Sequence, residues 1–274
     1  MTTLGRGPTV VLVPGLFGSA FGYRHLTHAL VDSRYRALVV EPLAIGGSSR
    51  PREADYSLTA QSDRLATVLT SIGAEPAIIV GHAVGGSVVL RLGYRNPELV
   101  RAIVLLDGGP SEAAATEGFR HALGLVKWVK WLGGQRILRG RIKKELTEAS
   151  ADPAWVTDEV IAGYTASTTA QLDATLDAFR SMAKSREPEL LGPRLAEIAC
   201  PVRLALGLAP HRGGIPPDQL ELLVARLPRF VIDSIPGAGH YLFEEQPQAV
   251  MAIIASVRVE LDRAAAVAAL GRAQ

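Results

Sequence analysis

Short apolar runs alternate with helix-length segments along most of the 274-residue sequence. The runs are TVVLV (9–13), YRALVVEP (35–42), AIIV (77–80), VRAIVLLD (100–107), VRLALGL (202–208) and RFVIDSIPG (229–237). Most are too uniformly apolar for strands with one wet face, and this is typical of strands buried on both sides. The pattern therefore predicts an α/β fold: a mostly parallel central sheet with helices on both faces.

The segment between the fourth and fifth runs departs from this alternation. From 111 to 197 the sequence shows several helical patterns and no strand pattern. A helical insertion at this point would lie over the carboxyl edge of the sheet, where open α/β sheets bind ligands. We predict a core formed by 1–110 and 198–274, with 111–197 as an inserted helical cap, or lid.

The stretch GHAVGG at 81–86 follows the apolar run PAIIV. A strand that turns sharply between glycines into a helix is where many hydrolases carry a nucleophilic serine. Here the central position is Ala83, which has no nucleophilic atom. The backbone N–H of Val84, at the start of the following helix, would still stabilise a developing negative charge.

Five stretches of the sequence follow one another in a characteristic order. They are VLVPGLFGS (11–19), EPLAIGGSSRP (41–51), GHAVGG (81–86), NPELVRAIVLLDGGP (96–110) and GAGHYLFEEQP (237–247). In this order they resemble the α/β-hydrolase superfamily in its cap-bearing form, from about residue 9 to 250. Three further positions depart from the family pattern. Pro14 stands where His is usual, Glu41 replaces an Asp, and Ala44 replaces the first Gly of a pattern that continues with Gly46 and Ser48.

The resemblance implies a catalytic constellation of nucleophile position, acid, base and oxyanion hole. Ala83 would occupy the nucleophile position, and His240, in the loop after the last strand, would be the base. The N–H groups of Val84 and Leu16 would form the oxyanion hole. A base histidine of this kind needs a carboxylate to hold its tautomer.

The identity of that carboxylate is open in the sequence. Similar proteins carry an Asp about three residues past the Gly that ends the fifth run, but Pro210 stands there and 207–217 holds no carboxylate. Some family members take the acid from the end of the preceding strand, where Asp107 lies here. We predict Asp107 as the partner of His240; the alternative is that Asp107 only caps its own turn. The poorer candidates are Asp218 and Asp233.

Further side chains could contact a substrate or partner. His211 and Arg212 occupy the loop that lacks the usual acid and could meet an anionic group, although solvated loop residues are the simpler expectation. The basic stretch 127–144 could bind an acidic carrier protein or a lipid surface, but solvated charges above an apolar pocket are the favoured interpretation. The residues predicted to line that pocket are Phe17, Tyr23, Trp128, Trp131 and Tyr241.

Three functions are compatible with alanine at position 83. The first is an ester or thioester hydrolase acting on a small, largely apolar carbonyl compound, in a form without its serine. The second is an enzyme, for example of bacterial secondary metabolism, in which Ala83 is native and His240 abstracts a proton beside a carbonyl. Elimination, isomerisation, decarboxylation and cyclisation need a base and an oxyanion site but no acyl-enzyme. The third is a catalytically silent binding protein for a small molecule.

Composition argues against other classes. A net charge of +2 does not indicate a nucleic-acid or membrane partner. The single cysteine, Cys200, excludes an intramolecular disulfide, and no signal peptide or membrane-length apolar run is visible, so we expect a cytoplasmic protein. There is no His/Cys cluster with metal-ligand spacing and no G-x-G-x-x-G after the first strand, so we expect neither a metal nor an organic cofactor. The oligomeric state is not specified.

Overall fold

The computed structural model describes residues 1–114 and 134–271. Within them, seven strands form one sheet in the order β1-β3-β2-β4-β5-β6-β7. The strands are β1 (Thr2–Leu4), β2 (Thr9–Val13), β3 (Arg36–Val39), β4 (Ala77–His82), β5 (Val100–Leu106), β6 (Val202–Gly207) and β7 (Phe230–Ile235). β1 runs antiparallel to β3, and every other neighbouring pair is parallel. The predicted α/β fold with a mostly parallel sheet is confirmed.

Ten α-helices accompany the sheet in the described part of the chain. They are α1 (Arg24–Asp32), α2 (Leu58–Ser71), α3 (Val84–Arg95), α4 (Gly134–Glu148), α5 (Asp158–Ala170), α6 (Leu172–Lys184), α7 (Leu191–Arg194), α8 (Pro217–Arg226), α9 (Leu242–Glu245) and α10 (Pro247–Gly271). Hydroxyl side chains cap the starts of α2 and α5: Ser57 Oγ and Thr157 Oγ1 accept backbone N–H groups of the first turn. None of the helices in these ranges combines the length and the apolar character needed to cross a lipid bilayer.

The burial of the strands follows their composition. β2, β4 and β5 are almost entirely buried, because helices cover both faces of the sheet there. All six strands expected from the apolar runs are present. β1 was not predicted, because its three residues are exposed and carry no apolar run. β1 and β7 lie at the two edges of the sheet.

The strand register brings several loops to one place. His82 at the end of β4 lies opposite Leu106 at the end of β5, and Leu106 lies opposite Ala205 in β6. Since these strands are parallel, the loops that follow β4, β5, β6 and β7 all leave from the same edge of the sheet. This carboxyl edge carries the candidate site.

Two apolar cores flank the sheet. One core includes Leu26 and Leu30 of α1 and Ile254 of α10. The other includes Leu65 of α2, together with residues of α3 and α8. The strand residues alternate between the two cores: Val10 and Leu12 of β2 belong to the first core, while the neighbouring Val11 and Val13 belong to the second. The sheet is therefore the middle layer of three.

The chain between β5 and β6 contains α4 to α7 and no strand among its described residues. Apolar side chains of α6 pack against the loop that follows β3 and against the start of α2. The buried members of this cluster are Ala44, Ile45, Tyr56, Leu176, Ala178, Phe179 and Met182. That the whole segment 111–197 acts as a cap stays a prediction.

A buried arginine of α3 ties this helical segment to the core. Arg91 is 0% exposed, and its guanidinium lies 3.1 Å from Glu112 and 3.3 Å from Glu187. Glu187 also accepts the backbone N–H groups of Leu58 and Thr59 at the start of α2. Glu112 and Glu187 come from opposite ends of the helical segment, so α3 anchors it at both ends.

Candidate active site

Ala83 occupies a sharp turn between β4 and α3. Its backbone has φ 50° and ψ −122°, a conformation in which a residue with a Cβ is strained. The turn is held by its N–H, which donates to the carbonyl of Leu106 at 3.1 Å. Chains approach so closely here that a Cβ on Gly85 would lie 2.5 Å from the Val13 carbonyl oxygen, and only glycine avoids this clash. Strained backbone of this kind clusters at active sites, so it supports the nucleophile position predicted for Ala83, which stays a prediction.

The predicted oxyanion donors lie on either side of Ala83. Val84 is the first residue of α3, so its N–H has no carbonyl one turn earlier in the helix to bond. The Gly15–Leu16 turn approaches from the end of β2: a Cβ on Gly15 would be 3.0 Å from the Ala83 Cβ. The turn is closed by a hydrogen bond from Gly18 N–H to the Gly15 carbonyl. The placement of both segments fits the oxyanion role predicted for Leu16 and Val84, which remains a proposal.

His240 and Asp107 are in direct contact. Nδ1 of His240 lies 2.7 Å from Oδ2 of Asp107, an ordinary hydrogen-bond distance. The loop of His240 is fixed by its own N–H, which donates to the Ala149 carbonyl at the end of α4. Because Nδ1 faces the carboxylate, Nε2 is the nitrogen left to accept a proton from a reacting group.

The two poorer acid candidates are engaged elsewhere. Asp233, in β7, forms a bidentate ion pair with Arg203. Asp218 is exposed in the first turn of α8. Asp107 itself follows β5 directly, with a positive φ of 44°, and its N–H donates to the Ala205 carbonyl. Asp107 at the end of β5 is therefore the carboxylate in contact with His240, and its role as the catalytic acid stays a prediction.

The environment of His211 differs from the one expected from the sequence. It was expected to be a solvated loop residue, but its side chain is only 7% exposed. Its Nε2 lies 2.8 Å from Oδ2 of Asp107, and its Nδ1 lies 2.7 Å from the Ala209 carbonyl oxygen. Arg212 is exposed as expected and forms an ion pair with Glu148 of α4. The loop that lacks the usual acid therefore contributes a second histidine to the same carboxylate oxygen.

Asp107, His211 and His240 also form the kind of group that could hold a metal ion, since one donor atom of each lies within 4.8 Å of the others. Zn²⁺ would require the three donor atoms to face a common point about 2 Å from each. Here both ring nitrogens instead point at Oδ2 itself, at hydrogen-bond distances of 2.7 and 2.8 Å. The donor geometry fits a hydrogen-bond network better than a metal centre.

A cluster of aromatic rings packs against His240. The rings of His82 and His240 have centroids 4.5 Å apart, and Tyr241 packs against both. Tyr23 was predicted to line the pocket, but it is 1% exposed, its hydroxyl donates to the Val13 carbonyl and its ring packs on Phe243. Tyr241, also a predicted pocket residue, is 4% exposed. Both tyrosines therefore support the site from within the core instead of lining an open pocket.

Two acidic residues that the sequence did not single out hold the loops of the site. Glu245 accepts the N–H groups of Gly239, next to His240, and of Ala151. Glu244 accepts from Tyr164 of α5 and from Arg24 of α1, and burial raises the pKa of the Glu244 carboxyl. The only sequence signal for this pair was the EEQP that follows the histidine loop.

Glu41 also holds loops near the site together. Its carboxylate accepts the N–H groups of Ala20 and Gly47, and so joins the loop after β2 to the loop after β3. The carboxylate fills the space beside Gly46, where a Cβ would collide with it. The acid at the start of the stretch 41–51 therefore stabilises the loops around the site.

The predicted substrate pocket is only partly within the described residues. Phe17 lies beside α6, with its ring at 90° to that of Phe179 and the centroids 6.0 Å apart. Trp128 and Trp131 lie outside the described residues, so the expected cavity over Ala83 stays a prediction. A cavity of about 320 Å³ between α2 and the end of β3 is lined mainly by apolar side chains, among them Val13, Leu65 and Val88, and does not reach His240.

Comparison with known proteins gives consistent results. A family model described as "Alpha/beta hydrolase family" matches residues 10–253. The sn-1-specific diacylglycerol lipase ABHD11 of Mus musculus is 25% identical over 258 residues, covering 91% of this chain and 80% of the lipase. The uncharacterized hydrolase YugF of Bacillus subtilis is 27% identical, covering 90% of this chain and 88% of its own. The solved epoxide hydrolase CorEH superposes with a TM-score of 0.78 at 18% identity, covering 94% of each chain.

Proposed function

This chain belongs to the alpha/beta hydrolase family, and from that premise we propose that it hydrolyses a small, largely apolar ester or thioester with water activated by His240. The observation that carries the proposal is the contact between His240 Nδ1 and Asp107 Oδ2 at the edge where the strained Ala83 turn lies. A base held by a carboxylate beside donors for an oxyanion is the arrangement used for acyl transfer.

The attacking group must come from outside the chain, because Ala83 has no nucleophilic atom. A water molecule placed near the methyl group of Ala83 would attack the carbonyl carbon while His240 Nε2 takes one of its protons. The C=O π bond becomes an oxyanion, held by the N–H groups of Val84 and Leu16. Collapse of this intermediate breaks the bond to the alcohol or thiol, which leaves with the proton returned by His240. The products are the carboxylic acid and the alcohol or thiol.

The surroundings favour an apolar substrate. Leu16 and Phe17, in the predicted oxyanion turn, pack against the apolar cluster of α6. An acyl chain at the turn would therefore meet apolar side chains rather than charges. The mouse relative is named as a lipase for diacylglycerol, which is an ester with apolar chains. The segment 111–197 would act as the cap that closes over such a substrate.

A second candidate function rests on the same observation. The base and its carboxylate are in contact although position 83 has no nucleophile, and a base with an oxyanion site is sufficient to abstract a proton beside a carbonyl. A lyase or isomerase reaction is therefore the alternative. A binding protein that performs no reaction needs neither the His240–Asp107 contact nor the strained turn.

The test of the proposed function uses the chain as it stands. p-Nitrophenyl acyl esters of increasing chain length are mixed with the protein and with its His240→Ala and Asp107→Asn variants. We expect slow hydrolysis that both substitutions reduce to the background rate, with no acylated protein in the intact mass at any time, since water attacks directly. The matched control is His25→Ala, because His25 lies on α1 with its side chain 52% exposed. Hydrolysis that survives His240→Ala would contradict the proposal.

A further inference from the structure

His211 has a hydrogen-bond acceptor at each of its ring nitrogens. Nδ1 lies 2.7 Å from the carbonyl oxygen of Ala209, which can only accept. Nε2 lies 2.8 Å from Oδ2 of Asp107, which accepts when ionised. A neutral imidazole carries one N–H and can satisfy one of these contacts, whereas the imidazolium carries two and satisfies both.

The burial of Asp107 leads to the same protonation state. Its side chain is 0% exposed, and Oδ1 has no hydrogen-bond partner in the described part of the chain. A buried carboxylate without a counter-charge is strongly disfavoured. The two groups that donate to Oδ2 are His211 and His240. If His240 is the base, it must be neutral before the reaction, so the counter-charge falls to His211.

A proton shared between His211 and Asp107 resides on the imidazole, because imidazole is more basic than a carboxylate. His240 is placed differently: among the described residues only its Nδ1 faces an acceptor, at 2.7 Å. Its N–H therefore satisfies that contact while Nε2 stays unprotonated. The geometry therefore favours the cation on His211 and the base on His240.

We propose that His211 is a positioning residue, held as an imidazolium between Ala209 and Asp107, that neutralises the buried carboxylate and so leaves His240 neutral and basic. The charge on His211 rests on its two acceptors and on the buried carboxylate. That this charge leaves His240 neutral and basic rests on the proposed function. His211 lies in the loop where similar proteins carry their acid, so a cation here goes together with a carboxylate supplied from β5.

Other charged and titratable groups around the two rings leave this assignment in place. Arg212 is paired with Glu148 of α4. His82 is buried, and burial holds the pKa of its ring well below its ordinary value, so it contributes no charge. Glu145 of α4 lies close enough for its charge to act on Tyr241 and Arg212, and a negative charge does not oppose a cation on His211. Burial raises the pKa of Tyr241, which therefore stays neutral.

Histidine NMR tests the proposal without any substrate. The protein is labelled with ¹⁵N at its histidine rings, and His→Gln variants assign the signals. At pH 7 we expect His211 to show two protonated ring nitrogens and His240 to show one. One protonated nitrogen on His211 would overturn the proposal, whatever the outcome of the ester assay. The protonation states are read from the parent protein with its site intact, and the variants serve only to assign the signals.

The His211→Gln variant tests the effect on His240. Glutamine keeps a neutral donor but removes the positive charge, so the carboxylate should stabilise a second proton on His240 instead. The pH at which His240 takes up that proton should rise by about one unit, and the low-pH limb of any ester hydrolysis should move in the same direction. His25→Gln, at an exposed position on α1, should change neither. An unmoved His240 titration in a folded His211→Gln protein would also overturn the proposal.

Discussion

His82 donates a hydrogen bond to the backbone of His240, with 3.0 Å between His82 Nε2 and the carbonyl oxygen of His240. Because a carbonyl oxygen can only accept, Nε2 carries the ring proton. His82 is the residue before Ala83 in the chain, so the strand that leads to the Ala83 turn also holds the loop of His240. Protonation of the buried His82 ring is opposed by burial, which lowers its pKa well below the ordinary value.

This pKa shift predicts a pH dependence of stability. In the unfolded chain His82 takes up a proton near its ordinary pKa of about 6.5, while the folded protein resists protonation to a much lower pH. The unfolded state therefore binds more protons below about pH 6.5, and the free energy of unfolding falls as the pH falls. We expect the drop in Tm between pH 8 and pH 5 to be smaller in His82→Gln than in the parent protein.

The control for this prediction is His28→Gln. His28 is exposed on α1, so its replacement should leave the slope of Tm against pH close to that of the parent. Equal slopes in all three proteins would show that His82 does not contribute the expected linkage. Differential scanning calorimetry at matched ionic strength measures the slopes.

The buried ion pairs of Arg91 predict that replacing it destabilises the protein far more than replacing an exposed arginine of the same helix. Arg91→Met leaves Glu187, whose side chain is 5% exposed, without its counter-charge, and should cost about 3–5 kcal/mol of unfolding free energy. Arg95, also on α3, pairs with Asp63 at the surface, and Arg95→Met should cost less than about 1 kcal/mol. Urea unfolding followed by circular dichroism compares them. Similar losses from the two substitutions would refute the special role of Arg91.

Two glycines provide a second matched pair. A Cβ on Gly85 would lie 2.5 Å from the Val13 carbonyl oxygen, which belongs to the backbone of β2 and cannot move aside. Gly85→Ala should therefore destabilise the protein and displace the Ala83 turn. Gly140 lies in α4 with nothing within 4 Å of a new Cβ, so Gly140→Ala should stabilise by about 0.5–1 kcal/mol. Thermal unfolding measures both; a stable Gly85→Ala protein would contradict the close approach.

Local patterns in the sequence account for much of the fold and part of the site. The apolar runs identified six strands. The resemblance to the family pointed to Asp107 as the partner of His240, and the two are in contact because both follow strands of one parallel sheet. β1 was not predicted, because its three residues are exposed and form no apolar run; the strand is defined by its pairing with β3.

The place of His211 could not be predicted in this way. Its partner Asp107 is 104 residues away, and nothing in the loop APHRGG distinguishes a buried histidine from a solvated one. Tyr23 and Tyr241 were assigned to the pocket because aromatic residues near a site suit either a pocket or a core. Only their packing against His82 and Phe243 shows which.

We propose that Ala83 occupies the nucleophile position of a site that is otherwise complete. The most direct measurement is the rate of p-nitrophenyl ester hydrolysis by Ala83→Ser, beside the parent and the double variant Ala83→Ser/His240→Ala. A serine Oγ in the strained turn should gain a base and an oxyanion site at once. We expect the rate to rise by several orders of magnitude and an acyl group on the introduced serine to be detectable by mass. Both should be lost when His240 is also replaced. A folded Ala83→Ser protein with no gain in hydrolysis and no acylation would contradict this proposal.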